Sequence, residues 1–211
     1  YATAGPFTIT TTINHEGILT IVQSSAGVGT GVPVGPNQTK PTNWWSGVLG
    51  QELIRQFGLT SGGLTLGQWL ATNFPNLYGG GNGAPNLTNL TNAQVATFYL
   101  GLFNQPNTLH VGAEVLDTAL DIFATTLSLG GTIGQSYGFK VDTLGVGAAT
   151  WNIFSSGQAF GVPNNSNLTV LQIMQAANNF AVSGNPWDSN GFLRNLAYNV
   201  FRGINGEGGP I

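Results

Sequence analysis

The sequence contains no cysteine, so no disulfide framework braces it, and the small stapled scaffolds are excluded. Charge is nearly as scarce. Asp, Glu, Lys and Arg make up 6% of the 211 residues, against about 25% in an average soluble domain. The net charge of −3 is too small to attract nucleic acid or an anionic membrane surface. No apolar run approaches the ~20 residues that span a bilayer. Only two histidines are present, and neither lies in a zinc-protease or nucleophile-elbow motif. Gly79-Gly80-Gly81 lacks the preceding strand, the following helix and the lysine of a phosphate loop. No cofactor and no metal is implied, and the chain is not expected to be an enzyme.

What is present is enough apolar side chain, 41% of residues, for one sizeable core. Surface polarity must come from Gly, Asn, Thr, Ser and Gln. Such a surface loses little hydration when it meets another protein, and it resists association poorly. Both properties favour life in an assembly. The chain opens at Tyr1 with no charged-then-apolar leader, as expected of a mature form or of a piece of a longer protein. Asn37, Asn86, Asn89, Asn164 and Asn167 begin Asn-x-Ser/Thr sequons in loop-like or helix-entry sequence, and are candidate glycosylation acceptors.

Residues 7–13 alternate apolar and hydroxyl side chains, the pattern of a half-buried strand, and Phe7, Ile9, Thr11 and Ile13 share one face. A turn at Asn14–Gly17 and a second strand at 18–22 predict a hairpin. Residues 24–43 carry repeated Gly and Pro and read as an irregular connection. From Trp44 the spacing turns helical. Thr42 or Asn43 caps a helix ending at Gly58, Thr65 opens one ended by Pro75, and Thr91 opens a third. A longer helix runs from about His110 to Leu129. Asn167 or Thr169 starts a fifth and Asp188 or Ser189 a sixth. Trp45, Trp69, Phe98, Phe123, Leu171 and Leu196 fall on the apolar faces of these helices and are expected in the core. The glycine-rich stretch 132–163 includes an extended-looking Gly138–Val141, and no internal repeat is evident.

Several phrases carry a resemblance. They are Trp45-Ser46-Gly47 through Gly50-Gln51-Glu52-Leu53-Ile54, and Leu66-Gly67-Gln68-Trp69-Leu70-Ala71-Thr72-Asn73-Phe74-Pro75-Asn76-Leu77-Tyr78-Gly79. Thr91–Ala96, Ala113–Leu120 and Ala159–Val162 follow in order, so that residues 44–205 are covered. The segment resembles a module of large secreted bacterial surface proteins of planctomycete type, which follows serine–aspartate-repeat B-like domains. The resemblance implies a secreted, non-enzymatic, cell-surface context and brings no catalytic residues. A single short hairpin stands here where the relatives have whole β-domains.

His110, Glu114, Asp117 and Asp121 form the densest ionisable cluster and share one helical stripe. A metal or acid–base site is one reading. The other is a solvated face, with Val111, Val115, Ala119, Ile122, Phe123 and Thr126 turned to the core. The second is adopted here, and no tight ligand is expected. His15-Glu16 reads as turn polarity. Lys140 lies near Asp142, the kind of acid that accompanies an intramolecular Lys–Asn link, but residues so close in sequence make poor partners, and no such link is expected.

These readings give an α+β fold, mainly α: a helical body of about six helices over 44–211, preceded by an N-terminal β-hairpin or strand arm over 1–43. The expected function is a structural subunit of an extracellular homopolymer, a fibre, pilus-like filament or sheet at the bacterial surface. Copies would join head-to-tail by strand exchange through Phe7, Ile9, Thr11 and Ile13. A non-polymerising adhesin or carbohydrate-binding module is the alternative, with glycans or other surface proteins as partners. A secreted hydrolase using Glu114, Asp117 or Asp121 is the third.

Overall fold

The structure, a computed structural model, describes residues 10–13, 19–22, 31–105, 110–187 and 190–207. Among these lie ten α-helices, four short 3-10 turns and three two-stranded antiparallel sheets. β1 (Thr10–Ile13) pairs with β2 (Leu19–Val22), placing Thr11 opposite Ile21 and Ile13 opposite Leu19 of the same chain. This is the described part of the expected hairpin of 7–13 with 18–22. Phe7, Ile9, His15 and Glu16 lie outside the described residues.

The connection that follows is no loose arm. Val34 N–H donates to the Thr150 carbonyl at 3.1 Å and Thr150 N–H to Val32 at 2.9 Å. Residues 32–34 thereby run parallel to β3 (Thr150–Asn152), whose other edge pairs with β4 (Asn167–Thr169). Thr39 and Lys40 are buried against the helices, and Thr39 Oγ1 donates to the Ile204 carbonyl at 2.8 Å. A boundary at 43/44 therefore cuts through packed structure.

The helices outnumber the expected six for identifiable reasons. Gly47, extended at φ −76° and ψ 175°, divides the first helix into α1 (Thr42–Ser46) and α2 (Val48–Gln56). Gly50 then lies against the Trp44 and Trp45 backbone, where a Cβ would overlap. Pro41, not Thr42 or Asn43, occupies the N-cap of α1. Pro75 ends α3 (Leu66–Asn73) and also starts α4 (Pro75–Tyr78), because proline suits the first helical position. The predicted helix 110–129 breaks at Thr126, giving α6 (Val111–Thr125) and α7 (Leu127–Gly130). Thr125 and Thr126 bond back to the Asp121 and Ile122 carbonyls, each at 2.7 Å, and Leu127 N–H turns instead to Asp142 at 2.8 Å. The glycine-rich stretch supplies the unexpected α8 (Gly157–Phe160). Gly138–Val141 forms no strand.

Thr65, Thr91 and Thr169 cap α3, α5 (Asn92–Phe103) and α9 (Val170–Asn179) through reciprocal capping boxes with Gln68, Gln94 and Gln172. The last helix, α10 (Gly191–Glu207), is capped by Asn190, whose side chain accepts from Phe192 and Leu193 N–H, both at 3.1 Å. Asp188 and Ser189 lie outside the described residues. A third sheet pairs β5 (Ala181–Val182) with β6 (Asn185–Pro186).

α6 is the hub, packed against α10, α5, α9 and α1. Trp45, Trp69 and Phe123 are buried as expected, each burial contributing about 1.5–3 kcal/mol or more. Phe98, Leu171 and Leu196 are only half-buried. Their helices turn by about one position, so that Val95 and Tyr99, Ile173 and Met174, and Ala197 and Phe201 point inward instead. No helix among the described residues is long and apolar enough to cross a membrane.

Candidate functional site

The acidic stripe of α6 is buried, contrary to the solvated face expected. Glu114 is 5% exposed, and Asp117 and Asp121 are 0%. The physical reason is that α6 is covered on every side. Its apolar faces meet neighbouring helices, while α10 and residues 40–45 close over the acids. Periodicity located the stripe correctly but could not show what lay above it.

Each acid has a different environment. Glu114 Oε2 accepts from Asn205 Nδ2 at 2.7 Å, and the same amide donates to the Glu114 carbonyl at 3.0 Å. Thr118 Oγ1 donates to Asn205 Oδ1 at 2.7 Å, completing a small network across α6 and α10. Burial raises the Glu114 carboxyl above its usual range, while Asn205, Arg202 and His110 pull it back. Asp121 Oδ1 accepts from Trp45 Nε1 and from Lys40 N–H, both at 3.1 Å. Its Oδ2 has no partner, and burial raises this carboxyl well above the ordinary value.

Asp117, between them, receives no hydrogen bond on either oxygen. The Tyr99 phenol faces it, but Tyr99 Oη donates its proton to the Thr42 carbonyl at 3.0 Å. Burial raises Asp117 well above the ordinary range. Glu114 adds to the rise, Tyr99 opposes it, and Asp121 adds further. Burial likewise raises Tyr99 and Tyr78, and Asp117 reinforces both shifts.

Besides donating its N–H to Asp121, Lys40 borders the site with its ammonium. Its Nζ lies over the rings of Phe139 and Trp44, 5.4 and 5.7 Å from their centroids, an arrangement that favours the cation. Burial lowers its pKa, and Asp121 counters that. His110, the fourth member of the stripe, occupies the N-cap of α6 and stacks on Phe103 at 5.8 Å, with Nδ1 buried and unpartnered.

The carboxyls of Asp117 and Asp121 are fully enclosed by the packed helices. With Asp117 and Asp121 sealed from solvent, a general acid or base here would have no substrate within reach. Among the described residues no three His, Asp or Glu are placed to share a metal ion.

Tyr99, Asn205, Trp45 and Lys40 were not read from sequence as parts of this site. Asn205 did leave a signal. It continues the buried stripe Ala197, Phe201 on α10, and a polar residue on an apolar stripe calls for a buried partner.

The remaining candidates lie apart. Lys140 is exposed, and its N–H donates to the Asn37 carbonyl at 2.7 Å. Asp142 Oδ1 accepts from Leu144 and Gly145 N–H at 3.0 and 2.7 Å, so its carboxylate shapes a loop rather than pairing with Lys140. All five sequon asparagines are exposed. Asn86, Asn164 and Asn167 hold local hydrogen bonds, through Oδ1, with Thr88, Gly157 and Asn152. Of the expected interface, Thr11 and Ile13 stand in β1, paired to β2.

A cavity of about 60 Å³ lies among Leu77, Tyr78, Phe98 and Val115, too small for an organic substrate, whose sites run to about 300–1,000 Å³. A concavity of about 460 Å³ beside Gly47, Val48, Glu52 and Arg55 is open to solvent. Phe154, 59% exposed, is held at φ 47°. Its N–H donates to Asn152 Oδ1 at 2.7 Å, and its carbonyl accepts from Asn165 at 2.6 Å. Compared with known proteins, the chain matches no family model, no curated protein and no solved structure.

Proposed function

We propose that the chain is a structural subunit of an extracellular homopolymer at the bacterial cell surface, secreted and without catalytic chemistry. The observation that carries this reading is the surface charge. Of thirteen charged residues, Lys40, Glu114, Asp117 and Asp121 are buried, leaving at most nine on the outside of a 211-residue protein. A surface so poor in ionised groups loses little hydration on packing against copies of itself. Val48, Leu59, Phe154 and Phe192 are each more than half exposed and add apolar contact area. The bacterial cell-surface setting follows the likeness read from residues 44–205 alone, since no known protein matches the chain. The acids that would serve a hydrolase are enclosed, which weighs against the catalytic alternative.

The strand-exchange version loses support from the pairing of Thr10–Ile13 with Leu19–Val22 in one chain. We place the contacts between copies on the outer surface of the body instead. Asn89 is the acceptor best placed for a glycan, since both it and its sequon hydroxyl Thr91 are exposed, whereas Thr39 of the Asn37 sequon is buried. Electron microscopy and sedimentation of the full chain test the reading. Regular polymers that survive deletion of residues 1–13 are expected. A monomer at every concentration and salt condition would sink it, and polymers lost with residues 1–13 would restore strand exchange.

A further inference from the structure

Among the described residues, Asp117 is the one buried acid for which neither oxygen has a well-formed hydrogen bond. A buried carboxylate in that position would face two partners of the wrong sign, Glu114 and Asp121, which lie on the same helix stripe. The group that could help it, the Tyr99 hydroxyl, has a single proton, for which Asp117 competes with the Thr42 carbonyl 3.0 Å away. Charge without a donor in an enclosed interior is costly, so the side chain must find another way to be satisfied. A carboxylic acid has such a way. Its own O–H is a donor, and Tyr99 Oη has a free lone pair to accept it.

We infer that Asp117 is held in the folded protein as the neutral acid, donating to Tyr99 Oη in a relay that ends on the Thr42 carbonyl, and that its ionisation loosens the helical body as pH rises. The relay joins α6 to α5 and to the start of α1, three elements far apart in sequence. Ionisation would draw the Tyr99 proton from the Thr42 carbonyl to Asp117 and so break the last link of the relay.

The surrounding titratable groups set how the effect is read. Glu114 and Asp121 face Asp117 from α6, Tyr99 from α5 and Tyr78 from α4. Arg202 and His110 act on Glu114, and Lys40 acts on Asp121. The folded Asp117 keeps a proton that the unfolded chain, at the ordinary value of 3.8, has released. Its stabilisation is therefore complete below that value and is lost as pH climbs through the raised, folded-state value. Each such proton lowers the melting midpoint by roughly 3–5 °C per pH unit in that window. Glu114 and Asp121, shifted the same way, steepen the slope.

The inference concerns the core and stands whether or not the chain polymerises. It is tested by melting the full chain from about pH 5 to about pH 8, beside Asp117→Asn, Asp121→Asn and Glu114→Gln. Asparagine keeps the shape of the neutral acid and carries its own donor. The expected result is that Asp117→Asn melts at or above wild type at the upper pH and loses one proton's worth of slope. An Asp117→Asn protein weakened equally at every pH, with the wild-type slope intact, would overturn the inference. Should that variant fail to fold, a carbon-detected NMR titration of the wild type decides. An Asp117 carboxyl resonance still in its protonated position at neutral pH supports the relay, and one in the carboxylate position refutes it.

Discussion

Consider the replacement of Asn205 by alanine. The side chain is 2% exposed and makes three hydrogen bonds, to Glu114 Oε2, to the Glu114 carbonyl and from Thr118. A typical internal hydrogen bond contributes about 1 kcal/mol net, and a buried acceptor stripped of its donor costs about 1–3 kcal/mol. Thr118 Oγ1 can fall back on the Glu114 carbonyl at 3.1 Å, so its share of the loss is small. The Glu114 carboxyl keeps the Thr42 side chain as a second donor, so the loss there falls at the lower end of that range. The sum is about 3–5 kcal/mol, or roughly 6–20 °C in midpoint for a chain of this size. Urea unfolding followed by circular dichroism measures it. The same substitution in a Glu114→Ala background should cost less, by a coupling of about 1–3 kcal/mol, because the orphaned carboxyl is gone. A single-mutant loss under about 1 kcal/mol, or no coupling, would refute the claim that Asn205 acts by satisfying Glu114.

Other perturbations have equally direct readouts. Trp69→Ala should cost about 3–5 kcal/mol, since the ring is 5% exposed and stacks edge-on with Phe74 and Phe123 at 5.6 and 5.3 Å. Gly50→Ala forces a methyl into the Trp44–Trp45 backbone and should cost about 1–3 kcal/mol or more by denaturant titration. A neutral outcome there would mean that α1 and α2 can slide apart. Phe154→Gly should be neutral or stabilising by up to about 1 kcal/mol, because it releases a left-handed backbone and removes a largely exposed side chain.

The features legible in the sequence were the local ones. Thr65 and Thr91 announced their helices because a capping box is complete within four residues. Trp45, Trp69 and Phe123 were identified as core because large aromatics on a helix face have few other places to go. The breaks at Gly47 and Thr126 were missed. One depends on how Gly50 meets Trp44, and the other on a carbonyl from Asp142, well along the chain. The acidic stripe failed for the same reason on a larger scale. Glu114 is covered by Asn205, 91 residues away, and Asp121 by Lys40, 81 residues away. The half-buried Phe98, Leu171 and Leu196 show that periodicity fixes a helix face to within about one position and no better.

The three capping boxes use glutamine where glutamate is also common. An amide cannot be protonated in this range, and its hydrogen bond carries no net charge for dissolved ions to screen. Helix entries at Thr65, Thr91 and Thr169 should therefore hold alike in brine and in fresh water, in acid and in mild alkali. For a protein exposed to open water, ionic strength would leave these three helix starts unchanged.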